Sequence, residues 1–150
     1  MNTAGDQRNQ QENIELRMRT LRMLWFALLV SVLLYYILTI FVGRNENVAP
    51  NNTISLVLII AAFSSTLASF LIKNKLLTQA VERQQVPMVQ QAYVVAWAIN
   101  EVAAMLGLLD FFVTGNRYYY VLFLLAAAGQ LLHYPRREHV ENAAFKRTSF

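Results

Sequence analysis

The sequence contains no cysteine, which excludes disulfides, thiolate metal sites and cysteine nucleophiles. Charge is scarce too: 15% of the residues are Asp, Glu, Lys or Arg, against about 25% in soluble domains. That charge gathers at the two ends and in short connecting stretches, leaving four long runs with almost none. The motifs of common enzyme chemistry are missing as well. There is no Gly-rich phosphate loop, serine elbow, metalloprotease helix or paired carboxylate. The N-terminus does not read as a cleaved signal peptide, because its first apolar run starts only after Arg22, is too long, and has no small-residue cleavage site behind it.

What is present is apolar. Hydrophobic residues make up 56% of the 150, one domain's worth of chain, and their distribution predicts an all-α integral membrane four-helix bundle. The first span covers residues 23–42 and carries no charge, about the length a bilayer core of roughly 30 Å requires. The second covers 54–72, the third 91–113 and the fourth 118–134. Residues 1–22 form a polar segment, expected to be loose near its start. From about Glu12 its pattern suits a helix passing through the headgroup layer. Gly43 to Asn52 reads as a turn, Lys73 to Met88 as a polar connection with a helical extension ending near Pro87, and Thr114 to Arg117 as a tight turn. Pro135 is expected to close the fourth helix before a basic tail over 135–150.

Orientation follows from the bases that flank the spans. Arg8, Arg17, Arg19, Arg22, Lys73, Lys75, Arg83, Arg136, Arg137, Lys146 and Arg147 fall on one side, and Arg44 and Arg117 on the other. Positive residues stay cytoplasmic, so both termini are expected inside. Trp25, Tyr93 and Tyr134 then lie near the inner interface, and Tyr118, Tyr119 and Tyr120 near the outer one. This placement also accounts for the net charge of +4 without nucleic acid, because the bases flank apolar spans and form no stripe interleaved with aromatics. Asn51-Asn52-Thr53 matches a glycosylation acceptor, but it lies almost against the membrane.

Within the spans, Glu101 stands out. A charged carboxylate at mid-span costs several kcal/mol, so acids there face protein and often mark ion or proton pathways. Asn100 adds a second polar group at the same depth, and both are candidates for an ion-binding or interhelical polar site. Asp110 is expected at the outer interface or paired with Arg117. Ala61, Ser65 and Ser69 recur every four residues in the second span, with Ser64 and Ala68 beside them. Small residues at that spacing let helices pack closely, against span three or another copy of span two. Ser31, Thr39, Gly129 and Gln130 read as packing residues. His133, at the inner membrane edge, and His139, in the tail, have no spacing that supports a haem or metal site, so no cofactor or metal is expected.

The stretch from Lys73 to Thr114 resembles the proteolipid, or subunit c, of rotary ATPases. Ala80-Val81-Glu82-Arg83-Gln84-Gln85-Val86-Pro87 resembles that family's polar loop. Asn100-Glu101-Val102-Ala103-Ala104-Met105-Leu106-Gly107-Leu108 resembles its ion-carrying helix, in which a carboxylate and small apolar residues precede a Gly-Leu pair. The resemblance implies that Glu101 corresponds to the ion-binding carboxylate, that Arg83, Gln84 and Pro87 correspond to the loop facing the rotor stalk, and that Gly107 belongs to the packing surface. The second span lacks the glycines of the family's packing helix, and spans one and four have no counterpart in a two-helix proteolipid.

The expectation for function is a small non-catalytic subunit of the bacterial inner membrane. It would pack within a larger membrane protein complex or with copies of itself, in contact with membrane lipid. The alternative is a proteolipid-like protein that handles protons or cations through Glu101.

Overall fold

The computed structural model describes residues 3–43 and 50–144, with side chains placed from residue 11 onward. Arg44, Lys146, Arg147 and the Arg8 side chain, all counted for orientation, lie outside the described residues. The chain is helical in five elements: α1 Thr3–Val42, α2 Asn52–Glu82, α3 Val86–Thr114, α4 Tyr120–Leu132 and α5 Arg137–Ala144. Three of these, over Gln11–Val42, Asn52–Glu82 and Val86–Thr114, are long and apolar enough to cross a membrane. The polar N-terminal segment, expected to be loose at its start, is helical from Thr3 and continuous with the first apolar run. Ile14, Met18 and Leu21 are its buried positions. They are spaced by four and three residues, so they share one helical face.

α2 and α3 form the most extensively packed pair. The turn between them ends α2 by helix geometry. The Arg83 N–H donates to Gln79 O at 3.0 Å and the Gln85 N–H to Ala80 O at 3.0 Å, while Gln84 takes a left-handed φ of 52°. A bond from two residues past the cap residue Arg83, closing over a left-handed residue, satisfies carbonyls that the last turn would leave open. Pro87 lies in the first turn of α3, where its missing N–H costs nothing. It therefore opens the third helix, and α2 ends earlier, at Glu82. At the other end, the Asn51 side chain accepts from the Ile54 N–H at 3.1 Å and caps α2. The Asn51 N–H donates to Thr114 O at 2.9 Å. Asn51 is thus a structural cap at the point where α2 begins and α3 ends.

α4 has only 13 residues, about 20 Å at 1.5 Å per residue. It is shorter than the expected fourth span and shorter than a hydrocarbon core. Helix-like bonds extend it at both ends, from the Val121 N–H to Tyr118 O and from the Tyr134 N–H to Leu131 O. Its final carbonyls take unusual partners. Trp25 Nε1 donates to Gln130 O at 2.7 Å, and Trp97 Nε1 donates to His133 O at 3.1 Å. The chain has two tryptophans, and both donate at this helix end: Trp97 to a carbonyl that the helix leaves open, Trp25 to one that also accepts from the His133 N–H at 3.2 Å.

Within the stretch after Pro135, expected as a basic tail, Arg137–Ala144 fold into α5 and pack back on the bundle. Val140 and Ala143 are buried in a cluster with Ile14, Met18, Leu21, Leu77, Ala80 and Val89. This cluster brings α5, the N-terminal half of α1 and the α2–α3 turn to the same end of the bundle. A second cluster lies deeper, formed by Val32, Ala62, Ala103, Ala104, Leu122, Phe123 and Ala126.

Two glycines set the approach of α4 to α3. A Cβ at Gly107 would lie 3.2 Å from Leu122 Cβ and from the Phe123 ring, while one at Gly129 would overlap the Asn100 amide and lie 3.1 Å from Thr66 Cγ2. Gly129→Ala is expected to cost about 1–3 kcal/mol by overpacking, and Gly107→Ala less, because contacts of 3.2 Å need only a small adjustment whereas the Cβ at Gly129 overlaps the Asn100 amide. Thermal unfolding in mild detergent measures the order; equal effects would contradict it.

Candidate functional site

Asn100 and Glu101 are adjacent on α3, so at about 100° per residue they face different neighbours. Asn100 is fully buried against α4. Its Nδ2 donates to Ala126 O at 2.8 Å and, more weakly, to Gln130 Oε1 at 3.4 Å. Glu101 is half-buried and turns toward α1, where the Ser31 hydroxyl donates to its Oε1 at 2.6 Å. The Tyr35 hydroxyl faces the same carboxyl. Each of the two polar residues at mid-helix therefore ties α3 to a different helix.

From Asn100 a polar seam follows the α2–α3–α4 interface toward the α5 end. Gln130 and His133, one turn apart on α4, are both buried. His133 Nε2 shares a 2.7 Å hydrogen bond with Ser69 Oγ, which itself donates to Thr66 O at 2.6 Å. The His133 ring lies 4.1 Å from that of Phe70, centroid to centroid. His133, expected at the membrane edge, is fully enclosed. Thr66 Oγ1, Asn100 Oδ1, Gln130 Nε2 and His133 Nδ1 are buried without a hydrogen-bond partner. Donor and acceptor capacity along the seam thus exceeds what the chain uses. Toward the opposite end the seam stops at the apolar layer of Ala103, Ala104, Leu122 and Phe123.

Beyond that layer lies a separate polar group around Asp110. This side chain is fully buried, with Ser55 Oγ donating to one carboxyl oxygen at 3.1 Å and Thr114 Oγ1 to the other at 2.6 Å. Asn116 Nδ2 donates to Ser55 Oγ at 2.7 Å, so the group ties the start of α2 to the end of α3. Asp110 is a buried acceptor bonded to hydroxyls. Of the two roles expected for it, the pairing with Arg117 does not form, and Arg117 is exposed.

At the α5 end, Lys73 is buried, with Nζ 5.4 Å from the Phe70 ring and 5.7 Å from the Tyr93 ring. These are cation–π distances. Tyr93 Oη accepts from the Arg136 N–H at 3.0 Å and bonds His139 Nδ1 at 2.6 Å. These bonds hold the start of α5 on α3.

The small residues of α2 divide between two faces. Ser65 Oγ donates to Ile99 O at 2.7 Å, a bond that needs close backbones, and Ser69 bonds His133. Ala68 is half-buried, whereas Ala61 and Ser64 are exposed on the outward side of α2. The inward face consists of Ser55, Leu58, Ala62, Thr66, Ser69, Lys73, Leu77 and Ala80, one register away from the every-four row read from the sequence. Thr66, Lys73 and Trp97 were not singled out as site residues. Thr66 and Lys73 continue the three-and-four spacing of that face, which is the signal that could have found them.

Among the described residues no group of three or more His, Cys, Asp or Glu side chains is placed to hold a metal ion. Compared with family models, with curated proteins and with solved structures, the chain matches none.

Burial pushes the His139 pKa below its ordinary value, and the nearby charges of Lys73 and Arg136 push it the same way, with Glu138 opposing. The folded form therefore favours neutral His139. Its contribution to α5 docking is complete above the unfolded value of about 6.5 and is lost as pH falls below it. A spin label on Asn142→Cys in this cysteine-free chain is expected to be immobilised at pH 8 and to gain mobility by pH 5. In a His139→Asn background the mobility should no longer change with pH.

Proposed function

We propose that the chain is a small non-catalytic integral membrane subunit of the bacterial inner membrane. It crosses the bilayer four times with both termini cytoplasmic, and it packs within a larger membrane protein assembly or with copies of itself. The observation that carries this reading is the imbalance between its helices. In the apolar stretch of α1 only 11% of residues are buried, against 44% in that of α3. α1 therefore presents an apolar surface on which no other described residue packs, and Ala61 and Ser64 give α2 a small-residue surface facing outward as well. Lipid covers some of this area, and small residues at the outward face permit the close backbone approach on which helix association in membranes depends. The packing of α5 beside the N-terminal half of α1 and the α2–α3 turn supports an even number of crossings. In this reading Glu101 and Asn100 are interhelical polar contacts that hold α1 and α4 on α3, and Gly107, Ser65 and Ser69 are packing residues.

The test is purification of the tagged protein from its native membrane in mild detergent, with native sizing and mass spectrometry. A defined ratio to partner proteins, or a discrete homo-oligomer, is expected; a lone 17.2 kDa chain would contradict the proposal. Glu101→Gln keeps hydrogen-bonding capacity toward Ser31 and is expected to leave the assembly intact.

A second reading makes Glu101 a titrating site for protons or cations. It is favoured by the position of this carboxyl at mid-helix beside the Ser31 and Tyr35 hydroxyls, and by the resemblance to the proteolipid helix. It predicts that a hydrophobic carbodiimide modifies Glu101, and that high pH or sodium slows the reaction. An unreactive Glu101 in intact membranes, with Glu101→Gln harmless to assembly, leaves the packing role alone standing.

A further inference from the structure

Two cavities meet at Phe26 on α1. The first, of about 530 Å³, lies beside the polar half of the helix and is lined by Arg19, Arg22, Met23, Phe26 and Arg137 of α5, with Glu15 at its edge. The second, of about 560 Å³, is an apolar groove between α1 and α4, lined by Phe26, Leu29, Leu33, Tyr36, Phe123 and Leu124 among others. From Phe26 to Tyr36 the groove follows ten residues of α1, about 15 Å of helix. That is half of a hydrocarbon core of roughly 30 Å, the depth of one leaflet.

Charge changes where the two cavities join. Arg19 and Arg22 are exposed and form no ion pair among the described residues. Arg137 is held by Glu141 through Nε at 2.6 Å, which leaves its terminal nitrogens for another acceptor. Three guanidinium groups against the carboxylates of Glu15 and, on Arg137, Glu141 leave the pocket net positive. The planar forks of arginine match phosphate oxygens. Met23 and Phe26 then lead directly into a groove whose lining is apolar except for Tyr36 and Tyr120.

We propose that the paired cavities form a binding site for one anionic phospholipid, with its phosphate held by Arg19, Arg22 and Arg137 and an acyl chain lying between α1 and α4. The head and tail of one amphiphile account for both cavities and for their junction at Phe26. Free phosphate would use only the first. The site also gives α5 a role, since it carries Arg137 to α1. The proposal rests on α1 and α4 lying in the bilayer, but it does not depend on the chain being a subunit of anything. Extraction of the membranes with alkaline carbonate tests that premise separately: release of the chain would remove the premise, and retention leaves the lipid test to decide.

The experiment is native mass spectrometry of the full chain, delipidated in mild detergent and titrated with phosphatidylglycerol or phosphatidylcholine of identical chains. Phosphatidylglycerol is expected to bind at least fivefold more tightly, in a one-to-one complex that millimolar inorganic phosphate does not displace. The double variant Arg19→Gln/Arg22→Gln should bring phosphatidylglycerol to the level of phosphatidylcholine. The charge-matched control Lys75→Gln/Arg83→Gln, at the same end of the bundle but outside the cavity, should not. Leu33→Trp, which fills the groove and leaves the arginines untouched, should weaken both lipids. Equal binding of the two lipids, an equal loss in the charge-matched control, or displacement by inorganic phosphate would each overturn the proposal.

Discussion

The hydrogen bonds from Trp25 and Trp97 to the final carbonyls of α4 are the contacts on which the arrangement of the bundle turns. A helix end leaves several carbonyls without partners, and where no water reaches them each costs several kcal/mol. α4 stops after 13 residues because its last turn is completed from outside. Trp25 comes from α1 and Trp97 from α3, so the same two bonds that permit the short helix also fix where α1 and α3 stand around it. The edge-on contact of Trp25 with Tyr134, 5.1 Å between centroids, completes this junction. Removing the Trp97 indole would leave the His133 carbonyl open where three helices meet, whereas Gln130 O without Trp25 would keep only the longer bond from the His133 N–H at 3.2 Å.

α3 is the helix on which the others are assembled. Its buried positions from Val89 to Thr114 form a broad band, and each neighbour is attached to it by at least one polar contact. Ser31 of α1 reaches Glu101, Ser65 of α2 reaches Ile99 O, Asn100 reaches α4, and Tyr93 holds α5. Single bonds of this kind inside a membrane average about 0.6 kcal/mol. They set register and choice of neighbour more than total stability, which comes from the close packing that Gly107 and Gly129 allow. The unpartnered atoms of Thr66, Asn100, Gln130 and His133 are the exception to this economy. They lie together on the α5 side of the apolar layer.

The long apolar helices, the turn at Gly115 and the position of Glu101 were legible because hydropathy and breaker residues encode them along the chain. What escaped depends on contacts between distant residues. The row Ala61, Ser65, Ser69 looked like a packing face, yet a row at every fourth residue drifts about 40° per step. It starts outward at Ala61 and reaches the interior only by Ser69. The tail was read by its arginines, although Val140 and Ala143 lie three apart and form the apolar edge of a short helix. For Asp110 the sequence offers the interface or the nearest cation, Arg117, but Ser55 reaches it from another helix. The end of α4 could not be placed by apolar run length, because its partners are indoles 36 and 105 residues away in sequence: Trp97 from His133, and Trp25 from Gln130.

The crossing of α4 is the central claim of this account, and labelling single cysteines in a chain that has none tests it most directly. Arg117→Cys precedes α4 and Asn142→Cys lies in α5 beyond it. With a membrane-impermeant maleimide on intact cells, Arg117→Cys is expected to react at once and Asn142→Cys only after the membrane is opened. Reaction of both cysteines in intact cells, or protection of both, would mean that α4 does not cross and would contradict the account.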